Sequence, residues 1–139
     1  MYALILGCGS TGIKMAEWLM GSGTEVTMIE SNTERQKFSD NLFGSVVVLA
    51  EGTNVEILEE AVTQRADIFI ATLSSDEDNM LACQIAKHHF KVEHTVALTS
   101  DRDKAHLLAL LGIDNVVNLT ELVAEEMQRL LAPILVEDL

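Results

Sequence analysis

Gly7-Cys8-Gly9-Ser10-Thr11-Gly12 spells G-x-G-x-x-G directly behind the apolar run Tyr2–Leu6, a spacing suited to holding a dinucleotide. Gly7 allows the tight turn, Gly9 lets the backbone come close to a pyrophosphate, and Gly12 lets the following helix pack against the strand. The unpaired N–H groups at the start of that helix then face the phosphates. Glycines also punctuate ordinary strand-to-helix turns, so the triplet alone is a weak signal. The run Glu25–Glu30 strengthens it: a second strand ends in a carboxylate 18 residues after Gly12, placed to accept hydrogen bonds from a ribose. A 2′-phosphate would be repelled there, which favours NAD(H) or an adenine nucleotide over NADP(H). The alternative for Glu30 is a plain strand-end carboxylate.

Other chemistries find less support. Gly7-x4-Gly12 resembles the start of a P-loop, but Ile13 stands where the phosphate-gripping lysine belongs and Lys14 where a magnesium-holding Ser or Thr belongs. His88, His89, His94 and His106 lack metal-ligand spacing, and Cys8 and Cys83 form neither a redox pair nor a disulfide framework. The acidic run Asp76-Glu77-Asp78 complements the positive end of its own helix, which leaves a bound cation as the lesser reading. A dehydrogenase needs a second domain or a Tyr/Lys pair, and the single tyrosine, Tyr2, lies inside the first strand. No catalytic constellation emerges.

These groups must be positioned by a repeating framework. Ser31-Asn32-Thr33-Glu34 reads as a capping box opening a helix that carries Phe38, Leu42 and Phe43 and stops at Gly44. Strand three is expected at Ser45–Leu49. Thr53-Asn54-Val55-Glu56 is a second capping box, before a short helix with Val55, Leu58 and Ala61 on one face. Strand four is Asp67–Ala71. Ser75 caps a third helix whose apolar positions Met80, Leu81, Ile85 and Ala86 fit the 3.6 period. Strand five is His94–Leu98, a helix runs from about Arg102 to Leu111, strand six is Asn115–Asn118, and a last helix starts at Thr120. This β-α alternation predicts an α/β, doubly wound Rossmann-like fold over residues 1–139: a single domain with a six-stranded parallel sheet, order 3-2-1-4-5-6, and a ligand crevice at the carboxyl ends of the strands. The final helix, about 120–135, carries Val123, Met127, Leu130 and Ile134 in a wide apolar stripe flanked by Leu122 and Leu131. It either packs back on its own sheet or meets a second subunit.

Bulk properties agree. The 139 residues are 48% hydrophobic but only 4% aromatic, so the core must be aliphatic, as suits a parallel sheet buried on both faces. A formal charge of −13 argues against nucleic acid and against an anionic membrane surface. It also disfavours anionic ligands at long range, so a nucleotide must be held by local backbone dipoles, with Lys14 as the nearest cation. Cysteine usage fits a reduced, cytoplasmic compartment. The N-terminus lacks a basic n-region and a cleavage site, and no apolar run approaches the roughly 20 residues that span a bilayer, so direct membrane insertion is not expected.

Beyond the glycine loop and Glu30, the segment Glu51-Gly52-Thr53-Asn54-Val55-Glu56-Ile57-Leu58-Glu59-Glu60-Ala61 resembles the "GDAT…evLeeA" segment of the RCK domain, also called KTN or TrkA-N. Ala66–Thr72 with Asp76–Asn79 is similar to its "ADaviaxT…DexN" segment, and Leu107–Asp114 to "aelLeklGad". The resemblance covers essentially the whole chain. It implies a non-enzymatic cytoplasmic regulator that binds NAD(H), AMP, ADP or ATP, forms a homodimer or a higher ring, and gates a membrane-embedded potassium transporter or channel subunit. By position it implies that Gly7, Cys8, Gly9, Ser10, Thr11 and Gly12 hold phosphates and that Glu30 holds the ribose. Glu51, beside Gly52, takes the adenine side, and Thr72, Leu73 and Ser74 line the rest. Ala50 and Glu51 depart from the usual Gly-Asp, Leu98 stands where many members have an arginine, and no arginine occupies the glycine loop. These departures favour NAD(H) or a short adenine nucleotide over ATP. The family's second, C-terminal ligand domain has no counterpart here. Other roles considered are the cofactor half of a NAD-dependent oxidoreductase and the cytosolic domain of a cation/proton antiporter.

Overall fold

Six parallel strands in the order β3-β2-β1-β4-β5-β6 form one sheet, the doubly wound arrangement expected from the β-α alternation behind a glycine turn. The computed structural model describes residues 1–61, 65–113 and 115–137; Asp114, the last residue of the third motif, lies outside them. The elements are β1 (Tyr2–Leu6), α1 (Ser10–Gly21), β2 (Glu25–Glu30), α2 (Thr33–Phe43), β3 (Val47–Leu49), α3 (Val55–Glu60), β4 (Ile68–Ala71), α4 (Asp76–Gln84), β5 (His94–Thr99), α5 (Arg102–Leu110), β6 (Asn115–Asn118) and α6 (Leu119–Glu137). A π-helical turn, Ile85–His89, continues α4.

β1 is central, and every one of its side chains is buried because helices cover both faces of the sheet. Leu4, Leu6, Ile29, Leu58 and Phe69 belong to one apolar cluster; Ala3, Ile5, Ala16, Leu19 and Met28 belong to the other. The register pairs Leu6 with Ile29 on one side and with Ala71 on the other, so the loops after β1, β2 and β4 leave the sheet side by side.

Several local expectations shift. The cap of α2 is Asn32, not Ser31: its side chain accepts from Arg35 N–H at 2.9 Å. The cause is upstream, because the Ser31 and Asn32 amides are both drawn onto Glu30 and the chain is still turning at Ser31. Asn54 likewise replaces Thr53 as the cap of α3, since a turn closed by Asn54 N–H on Glu51 O holds Thr53 outside the helix. Val55 is exposed, while Leu58 and Ala61 point inward. Ser75 caps α4 as expected. The buried face of α4 is Asn79, Ala82 and Cys83, and Leu81 is half exposed. Of the expected apolar positions, Ala86 is buried and Met80 and Ile85 pack against the core, so only Leu81 departs.

The last helix does not pack back on its sheet. Leu122, Val123, Met127, Leu130, Leu131 and Ile134 are 46–60% exposed. Among the described residues no helix is long and apolar enough to cross a membrane.

Candidate functional site

A crevice of about 460 Å3 opens at the carboxyl ends of the strands, walled by Leu6, Gly7 and Gly9 from the β1–α1 turn, Glu30 to Asn32 and Arg35 from the β2–α2 turn, Ala50 to Gly52 after β3, and Thr72 to Ser75 after β4. Asp78 and Leu98 complete it. The expected residues Gly7, Gly9, Glu30, Glu51, Gly52, Thr72, Leu73 and Ser74 are therefore brought together. Cys8, Ser10, Thr11 and Gly12 are not on the wall.

Steric limits explain the glycine loop. Gly7 adopts φ +103°, and a Cβ there would lie 2.9 Å from Thr72 Oγ1; a Cβ on Gly12 would lie 2.0 Å from Gly7 O. Both positions are closed to any side chain by the fold itself. Gly9 differs: its φ of −78° suits any residue, and nothing lies within 4 Å of where its Cβ would be. Gly9 is also part of the crevice wall. Thr72 locks the turn to the next strand, with both its N–H and its hydroxyl donating to Leu6 O at 2.9 and 2.8 Å.

The four helices α1 to α4 begin in two ways. α2, α3 and α4 each have a side-chain cap and acidic residues in the first turn. Gly9 gives α1 no side-chain cap, and its first turn carries no acid. The start of α1 beside the crevice thus carries no cap or acid of its own.

Glu30 is 4% exposed, and three backbone N–H groups hold its carboxylate. Cys8 N–H donates to Oε1 at 2.9 Å, and Ser31 and Asn32 N–H donate to Oε2 at 2.9 and 3.0 Å. A carboxylate has about four acceptor positions, so one remains on Oε1 for a ligand hydroxyl. Cys8 contributes through its backbone alone: burial raises its thiol above the usual range, and the sulfur packs against Met28. Cys83 lies in the opposite cluster, its thiol pushed up to about 12 by burial.

Asn79 holds the far wall. Fully buried, it accepts from Leu73 N–H at 2.8 Å and donates to Leu73 O and Leu98 O, both at 2.9 Å. It ties the loop after β4 to the end of β5. The nearest-cation expectation is corrected: Arg35, not Lys14, lines the crevice. Asp78 and Leu98 also belong to the wall, and Arg35 was foreseeable because the first turn of a helix after an acid-ending strand faces the same crevice. Among the described residues no group of three or more His, Cys, Asp or Glu side chains could hold a metal ion.

Residues 3–119 match the family described as TrkA-N domain. A Trk system potassium uptake protein TrkA homolog from Methanothermobacter thermautotrophicus is 30% identical over all 139 residues, and this chain spans 64% of that relative's length. The TrkA-N domain of the inner membrane protein ybaL from Escherichia coli superposes with a TM-score of 0.84 at 24% identity, covering 94% of this chain and 96% of that one. The GsuK channel bound to NAD superposes at 0.77 with 23% identity, over 87% of this chain and 22% of that one. With its strand order, glycine turn and strand-end acid in place, the chain belongs to the TrkA-N family.

Proposed function

We propose that this chain is a regulatory module that binds NAD(H), or else a short adenine nucleotide, in the crevice and gates a membrane-embedded potassium transporter or channel subunit by shifting an oligomer between states. The observation that carries the reading is the start of α1, without a side-chain cap or an acid in its first turn, opening on a crevice that Glu30 also lines beside the glycine turn. Phosphates of the ligand would meet the α1 amides, with Gly9 leaving them room, and a ribose hydroxyl would take the open position on Glu30 Oε1. Glu51 and Gly52 would flank the base side, and Thr72, Leu73 and Ser74 the remainder. In a chain of charge −13, the local dipole of α1 is what makes an anionic ligand acceptable.

The wall's described titratable groups are Glu30, Glu51, Asp78 and Arg35, a set without a Tyr/Lys or His acid–base pair, which supports sensing over turnover. The exposed apolar stripe of α6 supports a homodimer or a higher ring. A partner in the membrane then places the module at its cytoplasmic face. Ligand can move such an oligomer only by its difference in affinity for the two states. Calorimetric titration with NAD, NADH, AMP, ADP and ATP tests the reading: saturable heat with at least one of them, and no NADH oxidation, is the expected result. Absence of heat with all five removes it.

A further inference from the structure

Arg35 is a crevice group that neither the glycine turn nor the acids account for. Its backbone N–H is spent on the Asn32 cap, while its side chain is exposed and makes no ion pair among the described residues. Glu30 shares the wall, with three backbone N–H groups on its carboxylate, and forms no ion pair with Arg35 among the described residues. Arg35 therefore stays available to whatever enters.

Its position separates two jobs that a cation could have. Phosphates belong at the start of α1, but Arg35 stands in the first turn of α2, on the side of Glu30 and hence of the adenosine. Among the described residues the crevice lining includes no aromatic ring, and its apolar members are aliphatic, with Leu6, Ile29, Leu73 and Leu98 among them. A purine ring presents a flat π face, and a guanidinium is planar, cationic and weakly hydrated, so it stacks where an ammonium does not. We propose that Arg35 is the platform for the ligand's base, stacking its guanidinium on the adenine ring and so setting preference for adenosine-containing molecules. This deepens the nucleotide-sensing reading and rests on it.

The test is calorimetry of the full chain with AMP and NAD, comparing wild type with Arg35→Ala, Arg35→Lys and Arg35→Gln at low and high salt, each variant checked by thermal melting. Arg35→Ala should bind both nucleotides about tenfold more weakly with an unchanged melt. Arg35→Lys, which keeps the charge and loses the plane, should stay close to Arg35→Ala, and Arg35→Gln, which keeps a plane and loses the charge, should bind more tightly than Arg35→Lys. The loss should persist at high salt, where a purely coulombic contact is screened. Wild-type affinity in Arg35→Lys, or a loss that vanishes at high salt, overturns stacking, and an unchanged Arg35→Ala overturns any role. Binding by wild type in those same titrations keeps the underlying proposal standing whatever the variants do; failure of wild type to bind either nucleotide removes both.

Discussion

Gly9 and Gly12 look alike in the sequence but should respond oppositely to the same added methyl. At Gly12 a Cβ would sit 2.0 Å from Gly7 O, a backbone atom that cannot swing aside, so the turn or α1 must move. Forced overpacking of this kind costs about 1–3 kcal/mol or more, and Gly12→Ala should fall at or above the top of that range. At Gly9 the backbone already lies at φ −78°, ψ −172°, and a Cβ would have no neighbour within 4 Å. Alanine there loses less entropy on folding, worth about 0.4–1 kcal/mol, and is a somewhat poorer N-cap, so Gly9→Ala should leave stability within about 1 kcal/mol of wild type. The methyl instead occupies the space through which a phosphate would reach the first amides of α1. Loss of one charge-assisted hydrogen bond is worth about 1.5–3 kcal/mol, which is about ten- to hundredfold in affinity. Urea melts measure the first quantity and nucleotide calorimetry the second. A Gly9→Ala protein that is stable and still binds at wild-type affinity would refute the placement of phosphates at this turn.

Three further perturbations follow from the geometry. Glu30→Ala leaves the buried Cys8 N–H without an acceptor and should cost about 1–3 kcal/mol in urea melts, together with a similar loss in nucleotide affinity; unchanged affinity would take Glu30 out of the site. Cys83 titrates near 12 in the folded chain and at 9.0 when unfolded, so its contribution is intact below pH 9 and is lost as pH rises toward 12. Between pH 8 and 10, wild type should lose about 1.4 kcal/mol relative to Cys83→Ala in parallel melts, and an equal pH response in the two proteins would show that the thiol is not shielded. Leu130→Glu with Ile134→Glu places charges in the exposed stripe of α6 and should convert an oligomer into a folded monomer by light scattering; wild type already monomeric at tens of micromolar would end the role given to this helix.

What the sequence disclosed, and what it hid, follows one physical division. Short apolar runs separated by helical segments give a parallel sheet with right-handed crossovers, and the glycine turn behind the first strand selects the order 3-2-1-4-5-6 among the few that remain. Boundaries set by one buried group were not visible. Glu30 gathers the amides of Ser31 and Asn32, and this moves the start of α2 by one residue, an effect that a capping pattern cannot register. Asn79 adds to the inner face of α4 a residue that apolar periodicity does not mark: a polar side chain is excluded from a core only when it is unsatisfied, and all three of its hydrogen bonds go to backbone atoms of Leu73 and Leu98.

The site divides in the same way. Gly7 and Gly12 are legible as glycines because their reasons are internal to the fold, and those reasons would hold for a protein that bound nothing. Of the three, only Gly9, with nothing within 4 Å of where its Cβ would be, is left unexplained by packing, and only α1 among the first four helices begins without a side-chain cap or an acid in its first turn. The proposed phosphate seat rests on these two features together, a glycine without a packing reason and a helix start without a cap or acid of its own, and neither is a property of a motif read letter by letter. Arg35 is marked in the sequence only by its place five residues after Glu30, in the first turn of α2, and its relevance comes from the way β2 and α2 bring both to the same opening.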